Sequence, residues 1–294
     1  MRQQRIDQEI FDILKRQFDR GKGVSRHAVK KKGVFSAQTN MIHSKKTFMT
    51  YRQQGKAFAK YARETLGIRK LKDLNNTHVG TWLEYRQECG DSPYTLKTRA
   101  AAMAKVLQCS STDFGFTFPK RDSEDIKRSR GKVKMDDRLD EEKQADIITI
   151  AKGTGMRRVE LQRLKPSQLE LRDGQAYIVG VHGKGDLVRI IPVLKEYQDA
   201  VIAIFDKCKT AKVFPGKIPT YIDVHGYRGG YAKAMYDQII ADKKAKGEDV
   251  TPDYHTRKGV KISVNKAVVA KVSKTLGHTR IGVTITHYLK HHFT

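Results

Sequence analysis

Apolar residues near the start of the chain, Ile6, Ile10, Phe11, Leu14 and Phe18, recur every three or four positions and predict an amphipathic helix over 5–20, closed by Gly21. That stripe requires a surface to pack on. The stretch through Lys30, Lys31, Lys32 and Gly33 has no apolar period and reads as a basic linker or a solvated charged loop. Three helical segments follow over 46–109. The first carries Phe48, Tyr51, Phe58 and Ala62 on one side and ends near Gly67; the second is expected to start from Thr77 as N-cap and to run over 79–89. Ser92 and Pro93 read as the N-cap and first residue of the third, which runs to Leu107 with Lys97, Arg99 and Lys105 among its polar positions. Together they describe a small helical domain with a basic surface.

Residues 119–138 are dense in Lys, Arg and Asp with almost no apolar period, which places a domain boundary there. Beyond it, a helix is predicted over 140–152 with Asp140 as N-cap, broken by Gly153-Thr154-Gly155. A second helix over 157–164 stops at Pro166. The pattern then changes to β-branched runs over 176–181 and 187–193, joined by Gly183-Lys184-Gly185, which read as a hairpin. Helices return over 227–241, with Tyr231, Ala234, Met235 and Ile239 as apolar positions, and over 266–276, with a hairpin excursion around 250–264 between them. The predicted class is α+β, mostly helical with a small antiparallel sheet. The predicted organisation is an N-terminal helix and basic linker (1–44), a helical domain (45–118), an interdomain linker (119–138) and a mixed domain (139–294).

Charge narrows the function. Fifty-eight Lys and Arg stand against 32 Asp and Glu, a formal net charge of +26, so the expected partner is a polyanion rather than a small metabolite. The basic residues are spread along the chain instead of lining one amphipathic helix, which favours nucleic acid over an acidic membrane surface. No run approaches the ~20 apolar residues of a membrane helix and the polar N-terminus lacks a signal-peptide core. The expected location is therefore the cytoplasm, in association with the nucleoid, with no membrane partner. Cys89, Cys109 and Cys208 are too scattered for a disulfide framework or a CxxC zinc pair and are expected to be reduced thiols.

Cutting a phosphodiester without a metal requires cations on the nonbridging oxygens, a proton donor for the leaving oxygen and a nucleophile. In residues 154–161, TGMRRVEL, Arg157 stands at the mouth of a helix after a glycine turn, with Glu160 three residues on and placed to orient its guanidinium. On spacing alone this also describes a surface arginine with an intrahelical acid partner.

Read in order, the later segments bring in a resemblance that changes this balance. TGMRRVEL, the Gly-Lys-Gly turn, His225-Gly226-Tyr227-Arg228, Leu276-Gly277-His278 and a tyrosine near the end, Tyr288, occur in the order seen in the tyrosine recombinases, and the chain resembles that family over about 45–290. TGMRRVEL and LGHTRIGVTITHYL are most similar to integrases of mobile elements, and the helical domain is similar to the family's core-binding domain. The resemblance implies that Arg157 and Arg228 clamp the phosphate, with Glu160 as the supporting acid and Arg158 only a neighbour. It implies that His225 transfers a proton or hydrogen-bonds the phosphate, that Lys184 protonates the departing 5′ oxygen, that His278 hydrogen-bonds the phosphate and that Tyr288 is the nucleophile. It further implies double-stranded DNA as substrate, a 3′-phosphotyrosyl intermediate with no metal or other cofactor, four protomers on two DNA sites, and accessory DNA-bending proteins. Lys97, Arg99 and Lys105 are the candidate DNA contacts of the helical domain.

Two features depart from the family pattern. His225 and His278 lie farther apart than in compact members, and the insertion between them contains Tyr254-His255-Thr256-Arg257-Lys258, which competes for the histidine and arginine roles. His225 and Arg228 are preferred because an apolar-periodic helix follows them directly. Only the short stretch 289–294 follows Tyr288, where relatives carry a tail that docks on a neighbour; the helix over 5–20 is expected either to replace it in trans or to pack on its own domain. His287, His291 and His292 have no carboxylate or cysteine nearby in sequence and are not read as a metal site. The alternatives are a type IB topoisomerase-like or resolvase enzyme using much the same residues, and a DNA-binding regulator that keeps the fold without catalysis. A metal-dependent nuclease would need a clustered acidic set that the sequence lacks.

Overall fold

The computed structural model describes residues 5–31, 39–120, 133–183, 187–255 and 262–290. Lys184, Arg257, His291, His292, the Lys32-Gly33 end of the basic linker and most of the boundary stretch lie outside these residues. The chain divides into two compact units, Met1–Asp122 and Ser123–Thr294. No helix among the described residues is long and apolar enough to cross a membrane.

In the first unit, α1 (Ile6–Gly21) packs most extensively on α3 (Lys45–Glu64), with α4 (Asn76–Glu88) and α5 (Pro93–Leu107) completing the bundle and the short α2 (Arg26–Lys31) between α1 and α3. Ile6, Ile10 and Leu14 are buried in one cluster with Phe58, Trp82 and Met103. Phe18 stacks on Phe48 at 4.9 Å, and the Glu9 carboxylate accepts from the Leu71 N–H at 2.7 Å. The N-terminal helix therefore packs in cis as part of this core. Gly21 is not its stop signal. It is the last helical residue, and a Cβ there would stand 2.5 Å from the Ile42 carbonyl oxygen, so glycine is required for the close approach of that strand of chain. The cap of α4 is Asn75 rather than Thr77: its side chain accepts from the His78 N–H at 3.1 Å while the His78 ring accepts from the Asn75 N–H. Ser92 caps α5 by accepting from the Thr95 N–H.

Each fully buried side chain of α1 contributes about 1.5–3 kcal/mol, and the three together approach the whole stability of a small domain, ~5–15 kcal/mol. Deleting residues 1–22 is therefore expected to abolish or strongly lower the cooperative thermal transition of the first unit, read by circular dichroism. A truncated protein that melts like the full chain would contradict the packing of α1 as core.

The second unit is mainly helical around a three-stranded antiparallel sheet in the order β1-β2-β3 (Leu169–Arg172, Gln175–His182, Val188–Pro192). The hairpin β2–β3 matches the β-branched runs, with a bulge between Ile178 and Val181 at Gly180, where φ is +60°. α6 (Ala145–Thr154) starts later than the apolar pattern suggests, because Asp140 caps only a turn, accepting from the Lys143 N–H at 3.1 Å. It ends at Gly155, and the next helix, α7 (Arg158–Leu161), is short. β1 and α8 (Gln198–Asp206) have no counterpart in the sequence reading. α9 (Val224–Ala245) begins earlier than Tyr227 because the Asp223 carboxylate accepts from the Gly226 N–H at 3.0 Å. The two-residue strands β4 (Tyr254–His255) and β5 (Ser263–Val264) pair antiparallel, followed by α10 (Lys266–Thr275), α11 (Ile281–Thr284) and a π-helical turn, Ile285–Leu289. Ile150, Ile178, Val201, Tyr231, Val268 and Leu289 are among the residues of its single apolar core.

Candidate active site

Gly155 ends α6 at φ +58°, and a Cβ there would meet the Tyr231 ring at 2.4 Å, so the turn into Arg157 is one that glycine permits. Arg157 is the N-cap of α7. Its N–H donates to Glu160 Oε2 at 2.7 Å and its Nη1 to Glu160 Oε1 at 2.9 Å. The same carboxylate takes a bidentate pair from Arg189 on β3, Nη1 to Oε1 at 3.1 Å and Nη2 to Oε2 at 2.7 Å. Burial pushes the Glu160 carboxyl up, but the two guanidiniums and the Arg157 N–H together outweigh it and hold the group below the usual carboxylate range. Arg158 points elsewhere, donating to the carbonyls of Pro219, Thr220 and Ile222 in the loop that leads into α9.

Arg228 lies in the second turn of α9 and is only 1% exposed. Its Nη1 donates to the Gly155 carbonyl at 2.5 Å, its Nη2 to the Leu276 carbonyl, and its Nε lies 3.4 Å from Tyr288 Oη. Burial first and the nearby Arg157 charge second push its pKa down to about 10, so it stays cationic at neutral pH. Among the described residues, its partners are two carbonyls and a phenol, and none is anionic. Tyr288 sits in the π-helical turn, 3% exposed, with the His278 ring stacked on it at 5.5 Å. His278 follows Gly277, whose φ of +68° ends the segment after α10. Arg157, Glu160, Arg189, Arg228, His278 and Tyr288 thus come together, three guanidiniums against one carboxylate, an excess of fixed positive charge suited to an anion.

His225 is exposed on the first turn of α9, three residues before Arg228. Lys184 lies outside the described residues; of the residues that flank that segment, Gly183 donates its N–H to the Leu187 carbonyl at 2.9 Å. The competing His255 is exposed, and its described hydrogen bond runs to Ser263 Oγ at 2.8 Å across the β4–β5 pair. Of the three candidate DNA contacts in the first unit, Lys97, Arg99 and Lys105, Lys97 is the exposed one. Arg99 is turned inward onto Asp91 at 2.6 Å and Gln54 at 2.6 Å, over the Trp82 ring. Lys105 is buried against Thr39, and burial pushes its pKa down to about 8. Neither is placed to contact DNA, because α5 packs against α1, α3 and α4 and has little free face.

Arg189 is the site residue that motif reading misses. Besides Glu160 it donates through Nε to the Thr275 carbonyl at 2.8 Å, and Cβ atoms added at Gly183 and Gly277 would stand 2.7 and 3.3 Å from its side chain. It therefore touches the chain beside Arg157, Lys184 and His278 alike. The signal was present: on β3 it alternates in phase with buried Ile191, a charge on the inward face of a strand. Arg189→Met is expected to cost about 3–5 kcal/mol, the scale for leaving half of a buried ion pair. Denaturant unfolding reads this directly, and a loss under 1 kcal/mol would show the pair to be dispensable.

The model of the phage integrase family matches residues 133–294, and that of the phage integrase N-terminal SAM-like domain matches residues 38–110. Among solved structures, the chain is similar to the XerH site-specific recombinase in a post-cleavage complex with palindromic difH, at 13% identity and TM-score 0.56, covering 98% of this chain and 92% of that one. The pre-cleavage XerH–difH complex gives 15% identity and TM-score 0.55 over 96% and 91%. A Tn1549 transposon integrase variant in complex with transposon right end DNA gives 13% identity and TM-score 0.53 over 95% and 94%. These likenesses show the fold. No curated protein matches the chain in sequence.

Proposed function

The chain belongs to the phage integrase family, and from that premise we propose that it is a site-specific DNA recombinase that moves a mobile genetic element, with Tyr288 as its nucleophile. The Tyr288 oxygen bonds to the scissile phosphorus as the P–O5′ bond breaks. The 5′ oxygen takes a proton from Lys184 and leaves as a hydroxyl, and the phenol proton passes to His225. The strand is left as a 3′-phosphotyrosine, which keeps the bond energy for attack by a 5′-hydroxyl of the partner duplex, so the cycle consumes no cofactor. Arg157, Arg228 and His278 hold the nonbridging oxygens, and Glu160 with Arg189 orients Arg157. Two sites would be held by four protomers, with DNA-bending proteins as accessories, and Lys97, beside Lys46, Tyr51 and Tyr94 in a groove between α3 and α5, would contact the backbone.

The observation that carries this reading is Arg228: a buried cation whose partners are dipoles, set beside a phenol and repelled by a second arginine. Such a charge is costly to bury when its nearest anion, Glu160, is already paired with Arg157 and Arg189, and an anionic phosphate at this point offsets the cost in the bound state. The test is a supercoiled plasmid carrying two copies of the DNA that flanks the gene. Recombinant circles are expected; relaxed circles without recombinants would favour a topoisomerase-like activity. For the proton donor, Lys184→Ala is expected to cut a normal phosphodiester slowly and to recover on a 5′-bridging phosphorothiolate, whose sulfur leaves without protonation. Absence of recovery would reassign the role, with His225 next in line.

A further inference from the structure

We propose that Ser273 and Thr284 are positioning residues that hold the His278 imidazole as its Nε2–H tautomer, so that the ring meets a phosphate oxygen as a hydrogen-bond donor. The proposal rests on the reading of His278 as a phosphate-binding group. Ser273 lies on α10 and Thr284 closes α11, 3% and 0% exposed. Ser273 Oγ donates to Thr284 Oγ1 at 2.7 Å, and Thr284 Oγ1 stands 3.1 Å from His278 Nδ1. The His278 N–H also donates to the Ser273 carbonyl at 2.8 Å, which fixes the turn through Gly277.

A threonine hydroxyl carries one proton. With Ser273 donating to it, that proton must find an acceptor, and among the described residues the one in reach is His278 Nδ1. A fully buried hydroxyl has no water to turn to, and stranding its proton costs free energy. Nδ1 is therefore the acceptor, and in a neutral imidazole the ring proton then sits on Nε2. An Nδ1–H ring would aim a second donor at Thr284 and leave the threonine proton unpaired. Thr284 also lies four residues before Tyr288, whose ring stacks on His278, so the same contact ties the imidazole to the segment that carries the nucleophile. Ser273 lies outside the stretches by which the site is recognised and Thr284 lies within LGHTRIGVTITHYL without an assigned role, yet together the two hydroxyls set which edge of the ring can donate.

The test uses the full chain labelled with 15N-histidine, with the His278 resonances identified among the ten histidines by their loss in His278→Gln. In the wild type, Nδ1 is expected to be unprotonated and Nε2 protonated. Thr284→Val, which keeps the shape and removes the hydroxyl, is expected to mix the tautomers and to slow cleavage of a nicked suicide substrate about tenfold through lost orientation. Thr284→Ser is expected to restore both. An Nδ1–H ring in the wild type, as a reversed relay would give, overturns the proposal even if the valine variant does not fold, and so does a tautomer unchanged by Thr284→Val. A tautomer that shifts while cleavage holds overturns the role in the reaction. In that event, His278→Gln cleaving at the wild-type rate would locate the failure in the phosphate-binding reading.

Discussion

Tyr288→Phe is expected to bind DNA as the wild type does and to form no covalent complex on a nicked suicide substrate. The substitution removes one oxygen from a side chain that is 3% exposed and keeps the ring stacked on His278 at 5.5 Å. The contact to Arg228, at 3.4 Å, is at the outer limit of a hydrogen bond. The chemistry has no substitute: losing the nucleophile of a covalent mechanism costs on the order of 10⁶-fold. Adduct persisting in the phenylalanine variant would refute the assignment. A variant that lost DNA binding as well would show that the phenol had been holding the site together.

Arg157→Ala and Arg228→Ala are each expected to lower the cleavage rate by about 10²–10³, the scale of a preorganised donor lost from a developing oxyanion. The two differ in what else they disturb. Arg157 is a quarter exposed, and Glu160 keeps its bidentate pair with Arg189 after Arg157 is gone, so this variant is expected to melt close to the wild type. Arg228→Ala strips the Gly155 and Leu276 carbonyls of their buried partner, at about 1–3 kcal/mol each. Arg157→Ala is thus the cleaner kinetic experiment, and single-turnover cleavage of the preformed complex is the measurement. His255→Ala and Arg257→Ala are expected to be much milder. If affinity collapsed while the bound complex still cleaved normally, the two arginines would be positioning contacts only.

Among the residues chosen by resemblance, Arg157 pairs with Glu160, and Arg228 meets Tyr288, on which the His278 ring stacks. The β2–β3 hairpin was legible because its β-branched runs alternate, and α5 because Ser92-Pro93 marks its start. What escaped was what depends on neighbours. β1 is four residues long and largely exposed, so it gains its identity from pairing with β2. Lys105 and Arg99 look like surface charges until α1, α3 and α4 close around α5. The partner of the α1 stripe was open in the sequence because an apolar face does not name what covers it. Arg189 acts through Glu160 and Thr275, far away in sequence, and Ser273 reaches His278 only through Thr284, relations that spacing along the chain does not express.

How the DNA is joined to the protein is decisive for the mechanism. Wild-type enzyme trapped on a nicked suicide substrate, digested and read by mass spectrometry, should yield one oligonucleotide-bearing peptide, containing Tyr288 and linked through the 3′ phosphate of the cut strand. A 5′ linkage, a different residue, or cleaved DNA with no adduct would contradict it.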